Sequence, residues 1–159
     1  KIMVPRFEKR VRSYAADVSG LAILTILTAL GMPVFPGREY AQAAVMLVGF
    51  FLIIILPMIL SKGQTFGKRM QKIKVVKLDG TDASILILVL REIFKYGLGI
   101  ATFGVYIIVA YFTLTEKHVS RTIHDYIFKT KVIDLDTSPQ NVRNNKAIRT
   151  KTMRDTDLD

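Results

Sequence analysis

Long apolar runs alternate along this chain with short polar, basic segments. The first run covers Tyr14 to Met32. At about 1.5 Å per residue it is long enough for a helix to cross a hydrocarbon core of about 30 Å. "GMPVFPGREY", with two prolines and two glycines, breaks that helix. A second run, Ala41 to Leu60, carries no charge and predicts the stronger membrane segment. Pro57 cannot donate to the carbonyl of Ile53, so a kink is expected near its end. The polar stretch "SKGQTFGKRMQKIKVVKLDGTDAS" follows. Its β-branched "IKVVKL" before "DG" predicts a short strand and turn. Ser84 or Asp82 is placed to cap the next helix.

Ser84 to Thr115 reads less simply. On a helical wheel Ser84, Leu88, Arg91, Glu92 and Lys95 share one arc, and apolar residues cover the rest. "GLGIATFG" interrupts, and "VYIIVAYFTLT" continues as a run too short to span. Charge decides the number of crossings. The N-terminal arm, residues 61–82 and the stretch beginning Lys117 are rich in Lys and Arg, whereas residues 33–40 hold only Arg38. Basic segments stay in the cytoplasm, so an even number of passes is expected. Residues 84–115 should enter and return as a tight hairpin turning near Gly97–Gly104. The rival is an amphipathic interfacial helix followed by a single pass. After Thr115 a short helix and then a strand, "TKVI", are expected. The two strand-like runs, "IKVVKL" and "KTKVI", are predicted to pair with each other.

The expected fold class is thus an all-α membrane protein: a helical transmembrane bundle of two full spans plus a shorter helical hairpin, with a small cytoplasmic β element. Residues 1–135 form that unit. Residues 136–159 have few apolar side chains and mixed charge, the composition of a disordered cytoplasmic tail.

Composition narrows the function classes. Half of the 159 residues are hydrophobic, yet the formal charge is +10, so the basic residues must flank the apolar runs. The basic flank before the first run resembles a signal peptide. The run is too long for one and lacks a small-x-small cleavage site, which predicts an uncleaved first helix. There is no cysteine, which excludes disulfides, thiolate metal sites and cysteine nucleophiles. His118 and His124 lack metal-ligand companions at helical spacing, and no cofactor is predicted. The basic residues form no stripe interleaved with aromatics, so nucleic acid is not an expected partner. "GQTFGKR" (Gly63 to Arg69) has three residues between its glycines and Arg after Lys, so it is not a phosphate-binding P-loop. It reads as a basic, glycine-hinged turn at the membrane surface. Lys62, Lys68, Arg69, Lys72, Lys74 and Lys77 are candidate contacts for anionic lipid headgroups, at about 1 kcal/mol per basic residue. In "RTIHD" the neighbours His124 and Asp125 point about 100° apart on a helix and no nucleophile is nearby, which favours ion pairs and caps over catalysis. His124 remains a candidate relay. No enzymatic activity is predicted.

Asp17 is the anomaly in the first span. A carboxylate at the centre of a spanning helix costs about 2.5–3.5 kcal/mol. Asp17 lies about 6 Å inside a boundary near Ser13, where its side chain can lean back toward the cytoplasm. Stripe geometry suggests two inter-helix pairs, Asp17 with Arg91 and Arg10 with Asp125.

"RVRSYAAD" in helix one, "GQTFGKRMQKIKVVKLDG" after helix two, Arg91 in helix three and "RTIHDYIFKTKVI" at the end, in this order, resemble the RDD family of small, mostly bacterial membrane proteins. The family is named for one arginine and two aspartates, which by position correspond to Arg10, Asp17 and Asp125. The likeness departs at "FKTKVI", where the family usually has a small residue and glycine before the threonine. The resemblance implies a cell-membrane, multi-pass protein, and the basic bias of the segments places both termini in the cytoplasm. The resemblance also implies either a scaffold, regulatory or accessory subunit, or a transporter of a small ligand or cation, cation/proton exchange included. Asp17 and its basic partners would form the path in the transporter. A bundle of this size has little room for its own pore, so a homo-oligomer or a membrane-protein partner is expected.

Overall fold

The computed structural model describes residues 3–112 and 121–143. Helix α1, Phe7–Gly31, has 25 residues and is about 37 Å long. It begins seven residues before the apolar run. Its first two turns are polar, and one of their side chains ties the helix to the sheet described below: Lys9 Nζ bonds Asp134 at 2.8 Å and Asp136 at 3.2 Å. Helix α2, Arg38–Leu60, has 23 residues. These two are the only described helices long and apolar enough to cross a membrane. At the predicted kink α2 widens into a π-turn, Phe51–Ile55, where the Leu56 amide donates to the Phe51 carbonyl. The wider turn precedes Pro57, whose ring would crowd the carbonyl of Ile53 in a regular helix.

Next come a short helix α3, Phe66–Met70, and strand β1, Ile73–Lys77. Thr65 caps α3, and Ser84 caps helix α4, Ile85–Ala101. Asp82 instead takes the Lys74 ammonium at 2.6 Å. The chain reverses at Thr102–Gly104, with Phe103 and Gly104 both at positive φ, and returns as α5, Val105–Phe112. Gly99 allows this close return, since a Cβ there would sit 3.2 Å from Ile107. The described residues thus contain a helix–turn–helix at the expected position. Helix α6, Ile123–Ile127, and strand β2, Thr130–Asp134, follow, and residues 139–143 are helical where the described residues end. Positions 113–120 and 144–159, with the end of the hairpin and most of the expected tail, lie outside the described residues.

The strands pair with each other as the sequence predicts, and the pairing is antiparallel, with Val75 opposite Val132 and Ile73 opposite Asp134. Residues 136–143, expected to begin the disordered tail, instead dock on this sheet. Asn141 is buried and donates to Asp134 at 3.1 Å and to the Asp136 carbonyl at 2.8 Å. Polar composition did not reveal this because the anchor is one amide group and not an apolar face.

The apolar core sits where helices meet sheet: Ile54, Ile55 and Met58 of α2, Leu88 and Tyr96 of α4, Ile73 and Val75 of β1, and Val132 of β2. Away from it the usual pattern inverts. Helix α4 buries Arg91, Glu92 and Lys95 and exposes Ile85, Leu86, Leu90, Ile93 and Ile100. The rest of α1 and α2 likewise exposes Ile23, Ile26, Leu27, Leu47, Val48 and Leu52. Lone exposed apolar residues are ordinary, but continuous belts of them around buried charges are not.

Candidate functional site: a buried charge network at the helix–sheet junction

Helix spacing puts Arg10, Ser13 and Asp17 on the buried face of α1. The polar arc of α4 faces them with Arg91, Glu92 and Lys95, and α6 adds His124 and Asp125. Two clusters result. In the first, Asp125 receives Arg10 Nη2 on Oδ2 at 2.8 Å, and Arg91 Nε and Nη2 on Oδ1 at 2.8 and 2.6 Å. The Thr122 amide and hydroxyl also donate to Asp125 Oδ2, at 2.9 and 2.8 Å, closing a capping box that starts α6. Burial would raise the Asp125 pKa, but the Arg91 and Arg10 guanidinium groups outweigh it and hold the carboxyl well below its ordinary range. Asp125 is thus an ion-pair hub and not a base.

In the second cluster Glu92 is the hub. Its Oε1 accepts from Lys68 Nζ at 2.7 Å and Arg91 Nη1 at 2.6 Å, and its Oε2 accepts from Lys95 Nζ. Arg91 joins the two hubs, and is only 1 % exposed.

Asp17 has other partners than those predicted. Its Oδ2 accepts from the Thr65 hydroxyl at 2.5 Å and its Oδ1 from the Gly67 amide at 2.8 Å. It is the docking point for "GQTFGK", not the partner of Arg91. Each element of that motif has a local reason. Gly63 is at positive φ, with a Cβ position only 2.5 Å from the Val75 carbonyl oxygen. Thr65 caps α3 and donates to Asp17, Gly67 lets α3 touch α1, and Lys68 reaches Glu92.

His124 is buried, with Nε2 at 2.7 Å from the Thr122 hydroxyl and Nδ1 at 3.2 Å from the Tyr106 hydroxyl. Burial, and then the positive Arg91, lower its pKa well below the usual histidine value, so it is neutral at pH 7. Arg10, Asp17, Lys68, Arg91, Lys95 and His124 all line a cavity of about 20 Å³, together with Ser13 and Tyr14. That is room for about one water.

The predicted pair Arg10–Asp125 is therefore present, and Asp17–Arg91 is replaced. Of the candidate lipid contacts, Lys68 is corrected: it is buried on Glu92. Lys74 is tied to Asp82 and Lys77 is half-buried. Lys62, Arg69 and Lys72 are exposed. Sequence reasoning placed Glu92 and Lys95 on the polar arc but not in the site. The available signal was an acid flanked by bases on the one polar stripe of an otherwise apolar helix.

At the "FKTKVI" departure, Lys129 has φ of +50°, a conformation that favours glycine.

A family profile for the RDD family matches residues 4–142. The chain is similar to an uncharacterized protein, YckC, of Bacillus subtilis (strain 168), at 36 % identity over 86 residues. That stretch covers 54 % of this chain and 56 % of the relative, so the chain spans about half the length of that protein. No solved structure matches. With its arginine, its two aspartates and the match over nearly its whole described length, the chain belongs to the RDD family.

Proposed function

We propose that this chain is a multi-pass cell-membrane protein that acts as a non-enzymatic scaffold, regulatory or accessory subunit. Membrane insertion is supported by the two long apolar helices and by the inverted packing of α4, which suits lipid surroundings. The observation that carries the scaffold reading is that Arg10, Asp17 and Asp125 are each engaged in locking α1 to the loop and to α6. Buried charges held on both sides by fixed partners specify one arrangement, and they are poorly suited to exchanging ions. The charged junction faces the cytoplasm in this reading, with both termini there. A homo-oligomer or another membrane protein is the partner, and anionic lipid surrounds the basic rim.

A transporter of a small ligand or cation, cation/proton exchange included, is the second reading. It is favoured by one feature: Asp17 and His124 line the same polar cavity. Flux in sealed liposomes separates the two. The scaffold reading expects no cation-driven proton movement above protein-free vesicles. Flux that falls with Asp17→Asn would establish the transporter instead.

A further inference from the structure

Helix α3 has two faces of opposite character. Gly67 and Lys68 are buried against α1 and α4, while Phe66 and Met70, one turn apart, are 61 % and 59 % exposed. Arg69 lies exposed between them, and Lys62 and Lys72 are exposed at either end of the segment. This short helix is fixed in depth by its contacts. A Cβ on Gly67 would lie 2.1 Å from the Ser13 carbonyl oxygen, and Asp17 holds Thr65 and Gly67. Arg12 is the last exposed charge on α1, and none follows before Arg38. On the membrane reading, the boundary between water and hydrocarbon therefore passes close to Ser13, at the level of α3. Two large apolar side chains facing outward at that level, ringed by three cations, match the chemistry of a phospholipid leaflet. Acyl chains take the former and anionic headgroups the latter.

We propose that α3 is an interfacial wedge: Phe66 and Met70 insert among the acyl chains of the leaflet, and Lys62, Arg69 and Lys72 bind its anionic headgroup phosphates. The inference rests on the membrane reading above and adds to it a lipid-binding surface built on the loop that Asp17 holds. By this reading the contact between Asp17 and the loop sets the depth of the wedge, since Thr65 and Gly67 flank Phe66 in sequence.

The chain has no tryptophan, so single reporters are available. Full-length Phe66→Trp, Met70→Trp and, as a control in the middle of α1, Ile26→Trp are reconstituted in phosphatidylcholine vesicles with and without phosphatidylglycerol. Quenching by lipid brominated near the headgroup end of its acyl chain is expected at positions 66 and 70. Lipid brominated nearer the chain end should quench position 26 more strongly. Quenching at 26 but not at 66 and 70 overturns the wedge alone, whether those positions meet water or a second protein surface. No quenching at 26 overturns the membrane reading as well. For the headgroups, the combined Lys62→Gln, Arg69→Gln and Lys72→Gln variant should lose at least half of the phosphatidylglycerol enrichment that the unaltered protein shows in co-purified lipid. Undiminished enrichment would overturn the headgroup assignment.

Discussion

Gly67 approaches Ser13 so closely that a Cβ on the glycine would lie 2.1 Å from the serine's carbonyl oxygen, and 2.9 Å from Asp17 Oδ1. The contact is between two backbones, so no side chain can swing away to relieve it. Gly67→Ala is expected to push α3 off α1 and destabilise the protein by about 1–3 kcal/mol, the usual cost of forcing a group into a filled site. Thermal unfolding in detergent measures this. An unchanged midpoint would mean that the loop is not docked as described.

The bond between Asp17 and Thr65 should appear as coupling. A hydrogen bond to a charged acceptor contributes about 1.5–3 kcal/mol. Asp17→Asn and Thr65→Val are each expected to destabilise, and the double variant to lose clearly less than their sum. Losses that add would show that the two residues act independently.

For Asp125 the contrast is between removing one partner and removing several. Asp125→Asn leaves Arg10 and Arg91 facing a neutral group, and breaking a buried pair this way costs about 3–5 kcal/mol. The same substitution in an Arg10→Gln background should cost less. Equal costs in both backgrounds would argue against the observed hub.

Stability should also depend on pH through His124. Its folded pKa is lowered by burial and then by Arg91, while the unfolded value is about 6.5. Below that value the unfolded chain binds a proton that the folded chain resists, so stability falls as pH drops from about 6.5 toward the folded pKa. Asp125 acts in a lower window, because its stabilising contribution is full above about pH 4. Melting curves between pH 8 and 5.5 should therefore slope downward for the unaltered protein and flatten for His124→Gln. Equal slopes would rule His124 out as the cause.

Lys129 is exposed and sits at φ +50°. A left-handed conformation costs a non-glycine residue about 1–2 kcal/mol, whereas glycine's extra unfolded-state entropy costs roughly 0.5–1. Lys129→Gly should then stabilise the protein by roughly 0.5–1 kcal/mol, raising the midpoint in the same assay. A lower midpoint would show that the Lys129 side chain contributes contacts of its own.

Much of this architecture follows from one-dimensional pattern. Two apolar runs of span length, an interrupted third run and two short β-branched stretches suffice for the long helices, the helix–turn–helix and the pairing of the two strands. Their lengths and periodicities are local properties, set by rise per residue and by which side chains avoid water. The polar arc of α4 was equally legible, because any charges on so apolar a helix must share a buried face. Partner choice was not. Arg10 found Asp125 as expected, yet Asp17 takes Thr65 and Gly67, and Lys68 leaves the surface for Glu92. Which acid meets which donor depends on how far α3 can approach α1, and that distance is decided by a glycine lacking one carbon and by the turn at Gly63. Hydrogen bonds depend on separations of a few tenths of an ångström between segments about fifty residues apart. Such separations exist only once the backbone has closed in three dimensions.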